Sequence, residues 1–244
     1  MSGYPPEPEE PSDAPAARRT IVVAIDGPAA SGKSSTAQWV AERLNFRHVD
    51  SGALYRAATA AACRTGADPE SWTEDTVLEA ARVVSLAPGQ HSFSPLLDGR
   101  PAEEELRGAA VTRLVSKVAQ MPGVRAWVNA RVRQTAERHD VVVDGRDIGT
   151  AVFPGAEVKI FLVADPWERA RRRLTQELGR RPNDGEIAAE TERLVQRDSR
   201  DATQTVQAKD AILIDTTYLT QAEQVERIVA LAHAVARRPA EPAE

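Results

Sequence analysis

Eight consecutive residues, Gly27-Pro28-Ala29-Ala30-Ser31-Gly32-Lys33-Ser34, carry the spacing G-x-x-x-x-G-K-[ST]. That spacing suits phosphate. The glycines let the backbone turn so that its N–H groups converge on phosphate oxygens, and the start of a following helix adds a positive dipole. Lys33 has the reach for β- and γ-phosphates, and the Ser34 hydroxyl suits Mg²⁺. Triphosphate contacts are therefore expected from Gly27 through Ser35. The competing reading is a chance match in a tight turn. The context argues against it, because the stretch lies between a short apolar run, Ile21 to Ile25, and a helical pattern from about Lys33 to Leu44. The loop implies a bound nucleoside triphosphate and leaves the second substrate open, since switch proteins, motors and small-molecule kinases all use it.

The loop must be held by an alternation of strands and helices. Arg47 to Val49 reads as a second strand, with Asp50 or Ser51 capping a helix through Arg64. Val141 to Val143 and Val158 to Val163 are further runs of strand length, Asp165-Pro166 starts a helix, Ile212 to Ile214 is a last strand, and Thr220 opens a terminal helix. This order predicts a three-layer α/β/α fold on a mainly parallel, five-stranded sheet. Residues 67–110 break the rhythm with Pro69, Pro88, Gly89, Pro95, Gly99 and Pro101, and read as an inserted subdomain. Residues 1–18 and 237–244 are Pro-, Glu- and Ala-rich and are expected to be disordered tails on a core of residues 19–236.

Composition narrows the classes. Net charge is −5 over 244 residues, which disfavours a nucleic-acid partner. The single cysteine, Cys63, rules out an intrachain disulfide. No apolar stretch approaches the roughly 20 residues of a membrane span, and the N-terminus lacks the apolar core of a signal peptide. A cytoplasmic monomer away from membranes is the expectation.

Two loops could choose the second substrate. Asp50-Ser51-Gly52-Ala53-Leu54-Tyr55-Arg56 follows the second strand, at the edge of the sheet where ligands bind in such folds. Arg56 lies about one turn beyond Gly52 and could grip a phosphate bidentately or lie on a solvated helix face. Val141-Val142-Val143-Asp144-Gly145-Arg146-Asp147 is a buried strand ending in charge, which is costly unless a cleft solvates or pairs it. A local Asp–Arg ion pair in a turn is the alternative. Asp144 is expected near Mg²⁺, through water, on position alone.

From Asp165 to Asp201 there are nine arginines with acids interspersed, broken by Pro182-Asn183-Asp184-Gly185. Phosphoryl transfer spreads charge over the γ-phosphate, and arginines closing over it would stabilise that charge and exclude water. Residues 165–201 thus read as an arginine-rich helical lid, although some of the nine must simply form salt bridges on solvated helices.

Taken together, the phosphate loop, Asp50-Ser51-Gly52-Ala53-Leu54-Tyr55-Arg56, the Val115-Ser116-Lys117-Val118-Ala119 block running on to Pro122, Val124 and Arg125, and Asp144-Gly145-Arg146-Asp147-Ile148-Gly149-Thr150 resemble the bacterial cytidylate kinases, from about Ile21 to Leu231. The resemblance implies ATP as donor, Mg²⁺ as cofactor, CMP or dCMP as acceptor, and residues 67–110 as a nucleoside-monophosphate-binding insert. It implies that Ser51, Arg56 and Arg146 hold the CMP phosphate and that Ser116, Arg125 and Asp147 read cytosine. It implies that Arg169 and Arg172 or Arg173 lie near ATP, that Arg197 bridges the transferring phosphate, and that Asp201 touches the sugar. Lys33, Arg146 and Arg197 would then be catalytic. Chemistry agrees on the base: cytosine offers an N4 donor where uracil has an O4 acceptor, and a carboxylate such as Asp147 only accepts. Gln204 stands where the resemblance leads one to expect another arginine, with Arg200 as the expected substitute. Other P-loop kinases acting on UMP, AMP or shikimate are the nearest rivals. A GTPase-like switch is disfavoured because no Asn-Lys-x-Asp occurs, and a non-catalytic nucleotide-binding protein is the third alternative.

Overall fold

A computed structural model describes residues 20–236, so both expected tails lie outside the described residues. The sheet is built on five parallel strands in the order β2 (Arg47–Asp50), β6 (Val141–Asp144), β1 (Val22–Asp26), β7 (Val158–Val163) and β8 (Ile212–Asp215). Val141, Val142 and Val143 are fully buried, as strands covered on both faces require. Burying each such side chain is worth roughly 1.5–3 kcal/mol.

Strand residues alternate between two helical layers. Val22, Ala24, Val141 and Val143 face one core, which is closed by α2 (Ser51–Arg64), α3 (Glu74–Ala80), α5 (Ala109–Val118) and α6 (Pro122–Ala136). Val23, Ile25, Val142 and Ile160 face the other, closed by α1 (Lys33–Leu44) and α9 (Gln221–Ala236). The alanines of α2 are mostly buried and let that helix lie close to the sheet and to α5.

The insert extends this sheet. Its strands β3 (Val84–Pro88), β4 (Ser92–Leu97) and β5 (Arg100–Pro101) join the edge because β4 pairs in parallel with β2, His48 opposite Ser92. The sheet therefore has eight strands, five of them the expected parallel set. The short helix α4 (Glu103–Arg107) then leads into α5.

The segment expected to form a lid folds as α7 (Pro166–Leu178) and α8 (Asp184–Asp201). Asp165 caps α7 by accepting from the Trp167 and Glu168 N–H groups, and Asn183 forms a capping box with Glu186 at the start of α8. Ala170, Ile187 and Leu194 pack around Ala29, so a small third core ties the lid to the phosphate loop. Among the described residues no helix is long and apolar enough to cross a membrane.

Candidate active site

Because the five strands are parallel, their C-terminal ends share one edge, and the loops leaving them line an open cleft of about 1570 Å³. A pocket for one small ligand is usually about 300–1,000 Å³, so this one has room for two.

The phosphate loop leaves the central strand β1. Gly27 sits at φ +148, and a Cβ there would lie 2.1 Å from the Leu162 carbonyl oxygen. Only glycine lets β1 turn this tightly against β7. Ala30 is held in the left-handed region at φ 56, a local strain of the kind that functional loops store. Residues Ala29 to Ser35 line the cleft. Gly27 and Pro28 shape the loop instead: their carbonyl oxygens accept from Arg146 at 2.8 Å and from Lys33 at 2.5 Å. Burial, with Arg146 close by, pushes the Lys33 ammonium down to about 7. An anion entering the loop would restore its charge.

Ser34 and Asp144 meet. The Ser34 hydroxyl donates to Asp144 Oδ2 at 2.6 Å, and His48 Nε2 lies 2.6 Å from Asp144 Oδ1. Burial alone would raise the Asp144 carboxyl, but the His48 and Ser34 hydrogen bonds and nearby charge outweigh it and hold the group below its ordinary value. His48 is held above its own ordinary value, because the Asp144 carboxylate outweighs burial.

Beside the loop lie the expected acceptor residues. Ser51 Oγ donates to the Asp144 carbonyl at 2.8 Å. Arg56 reaches into the cleft while its Nη1 donates to Leu106 O and Thr112 Oγ1, so the insert and α5 together position it. Arg146 Nη2 donates to Asp201 Oδ2 at 3.1 Å, and Arg197 Nε lies 3.6 Å from the same oxygen. Burial and the neighbouring Arg146 lower the Arg197 guanidinium to about 10. Positive charge is thus concentrated where two phosphates could meet. Farther along, Arg125 pairs with Asp147, and Ser116 lines the same wall.

Several of the expected residues sit apart from the open part of the cleft. Arg169 is buried against the phosphate loop: its Nη1 donates to Ala29 O and to Asp198 Oδ2, both at 2.7 Å, while Asp198 Oδ1 accepts from the Ala29 N–H. It latches the lid to the phosphate loop. Gly27 and Pro28, as above, lie just behind the residues that line the cleft. Arg200 is exposed and donates to Gln196 O on its own helix, whereas Gln204 lines the cleft. Arg172 does line the cleft, with Nη2 donating to Thr216 O and Thr217 O.

His48, Asp198 and Tyr55 take part in the site without a sequence signal that assigned them a role. Tyr55 lines the cleft with Arg125 6.0 Å from its ring centroid, and burial pushes its hydroxyl up to about 12. The available signal for His48 was a polar residue two positions before Asp50 in a strand pattern.

The cytidylate kinase family model matches residues 23–234, nearly every residue placed here. The chain belongs to the cytidylate kinase family. Among curated relatives, a cytidylate kinase of Geobacillus kaustophilus is 46% identical over 87% of this chain and 96% of its own. One of Limosilactobacillus reuteri is 42% identical over 85% and 93%, and one of Solibacter usitatus 42% over 87% and 92%. The matches to cytidylate kinases span the fold, the cleft and the lid together.

Proposed function

We propose that this protein transfers the γ-phosphoryl group of ATP to the phosphate of CMP or dCMP, giving CDP or dCDP and ADP. The observation that carries the reading is the convergence of Lys33, Arg146 and Arg197 beside the phosphate loop, with the Arg125–Asp147 pair farther along the same cleft.

An acceptor phosphate oxygen attacks the γ-phosphorus, and the bond to the β–γ bridging oxygen breaks as ADP leaves. No enzyme nucleophile is needed; the chain positions both phosphates and neutralises them. Loop amides and Lys33 hold the donor's tail, with Arg172 beside its base. Ser51, Arg56 and Arg146 hold the acceptor phosphate, Arg197 spans the two, and Asp201 orients both arginines and reaches the sugar. Ser116, Arg125 and Asp147 read cytosine. Ser34 and Asp144 fit Mg²⁺, which takes oxygen ligands and uses one or two carboxylates together with substrate phosphates. Among the described residues there is no cluster of three or more His, Cys, Asp or Glu that could hold a metal unaided. When bound, Mg²⁺ would offset charge on the β- and γ-phosphates. The lid helices α7 and α8 keep water from the γ-phosphorus.

The test is ADP release with CMP, dCMP, UMP and AMP, with Lys33→Ala as control. Turnover with the cytosine nucleotides, little with UMP or AMP, and loss in the variant is the expected pattern. Equal turnover with AMP or UMP, or none with CMP, overturns it.

A further inference from the structure

The far end of the cleft carries an aromatic ring that the mechanism above does not use. Among the described residues Tyr218 is 93% exposed, well beyond the next large hydrophobic, Leu213 at 55%. Single exposed hydrophobics are common and by themselves mean little. Here three further observations bear on the ring.

First, Tyr218 lines the cleft. It follows β8, while the phosphate loop follows β1 and Asp147 follows β6; β6 and β8 lie on opposite sides of β1. A nucleotide held by its terminal phosphates at Gly32 to Ser34, beside an acceptor on the β6 side, must direct its base toward the β8 side.

Second, the backbone under the ring is fixed. Thr216 N–H donates to Val163 O at 2.8 Å, and Leu219 N–H donates to Thr216 O at 3.2 Å, closing a turn with Tyr218 near its tip. Thr217 donates to Asp215 Oδ1 through both its N–H and its hydroxyl, at 2.9 and 2.6 Å, and accepts from the Asp165 N–H at 2.9 Å. Thr220 and Glu223 cap the helix that follows. A ring on so constrained a turn loses little entropy when a ligand covers it.

Third, Arg172 donates to Thr216 O at 2.6 Å and to Thr217 O at 2.8 Å. A planar guanidinium is therefore anchored beside the residue that carries the ring. Aromatic faces and guanidinium planes both stack on flat rings.

We propose that Tyr218 is a stacking platform for the purine base of the phosphoryl donor, working with Arg172 at the β8 end of the cleft. The inference rests on the donor reading above and adds a residue that decides how tightly the base is held. Because stacking reads a face and not an edge, the hydroxyl contributes little, and adenine and guanine are held to a similar degree.

The test is calorimetric binding of MgATP, MgGTP and magnesium tripolyphosphate to the full chain and to its Tyr218→Ala and Tyr218→Phe variants, alongside CMP-dependent ADP release by the unmodified chain. Tyr218→Ala should weaken ATP about 5- to 150-fold, the range for loss of one base–aromatic stack. GTP should weaken to a similar degree, tripolyphosphate should not change, and Tyr218→Phe should bind ATP like the unmodified chain. ATP affinity untouched by Tyr218→Ala, or tripolyphosphate weakened as much as ATP, overturns the proposal. Failure of the unmodified chain to phosphorylate CMP would instead overturn the reading beneath it.

Discussion

Asp147→Asn separates a base-reading carboxylate from a merely structural one. Asp147 is paired with Arg125 at the wall of the cleft, its side chain 13% exposed, and burial raises its carboxyl despite that pairing. The substitution keeps the shape, removes the charge, and adds an N–H₂ donor. For CMP it weakens an anionic acceptor facing the N4 amino group. A hydrogen bond to a charged group contributes about 1.5–3 kcal/mol, or about 10- to 150-fold in rate. For UMP it replaces a repulsion between two acceptors with a donor facing O4. The two effects push the same way, so the ratio of kcat/KM for CMP over UMP should fall at least about tenfold. The assay is steady-state ADP release with each acceptor, at saturating ATP, on protein whose thermal melt confirms folding. A folded variant that keeps the CMP preference within about twofold would refute the assignment, and with it the Arg125–Asp147 pair as the base reader.

Other perturbations test the scaffold. In Gly145→Ala the new Cβ would lie 2.6 Å from Ser51 Oγ and 2.7 Å from Ile148 Cδ1. Overpacking of about 1–3 kcal/mol should displace Ser51 and weaken calorimetric CMP binding more than ATP binding. Arg169→Ala should leave Asp198 and Ala29 O without their shared donor, costing about 3 kcal/mol and lowering Tm by about 6–12 °C, with the KM for ATP raised more than that for CMP. Asp26 accepts from the Ile148 and Gly149 N–H groups, yet burial raises its pKa from 3.8 to about 6. Between those values the folded chain holds a proton that the unfolded chain has released, so this group's contribution to stability falls as pH rises through the window and levels off above it. Urea unfolding of the wild type relative to Asp26→Asn should therefore shift by about 2 kcal/mol against the wild type between pH 4 and pH 7; parallel pH profiles would show that Asp26 titrates normally.

What the sequence made legible was local. The Gly27–Ser34 spacing, the β-branched runs of β1, β6 and β7, and the Asp165-Pro166 cap each announce an element from neighbouring residues, and each occurs at its expected place. Pairings between distant segments were not legible. His48 meets Asp144 only because β2 and β6 run parallel in a register that sets Asp50 opposite Asp144. The insert's strands join the main sheet through another non-local pairing, of His48 with Ser92. Arginines on one helix could not be sorted by spacing alone, because each residue turns about 100° around the axis. On α7, Arg169 turns inward to Asp198, while Arg171, Arg172 and Arg173 line the cleft, Arg171 binding Glu168 there. On α8, Arg197 and Asp201 share a face, while Arg200 points away.

Direct passage of one phosphoryl group between two nucleotides in a single cleft is the claim beneath all of this. It is tested by the configuration at phosphorus when ATP with an isotopically chiral γ-phosphoryl group is used to phosphorylate CMP. One in-line displacement predicts inversion in the CDP formed. Retention would require a phosphorylated enzyme intermediate and would contradict the account.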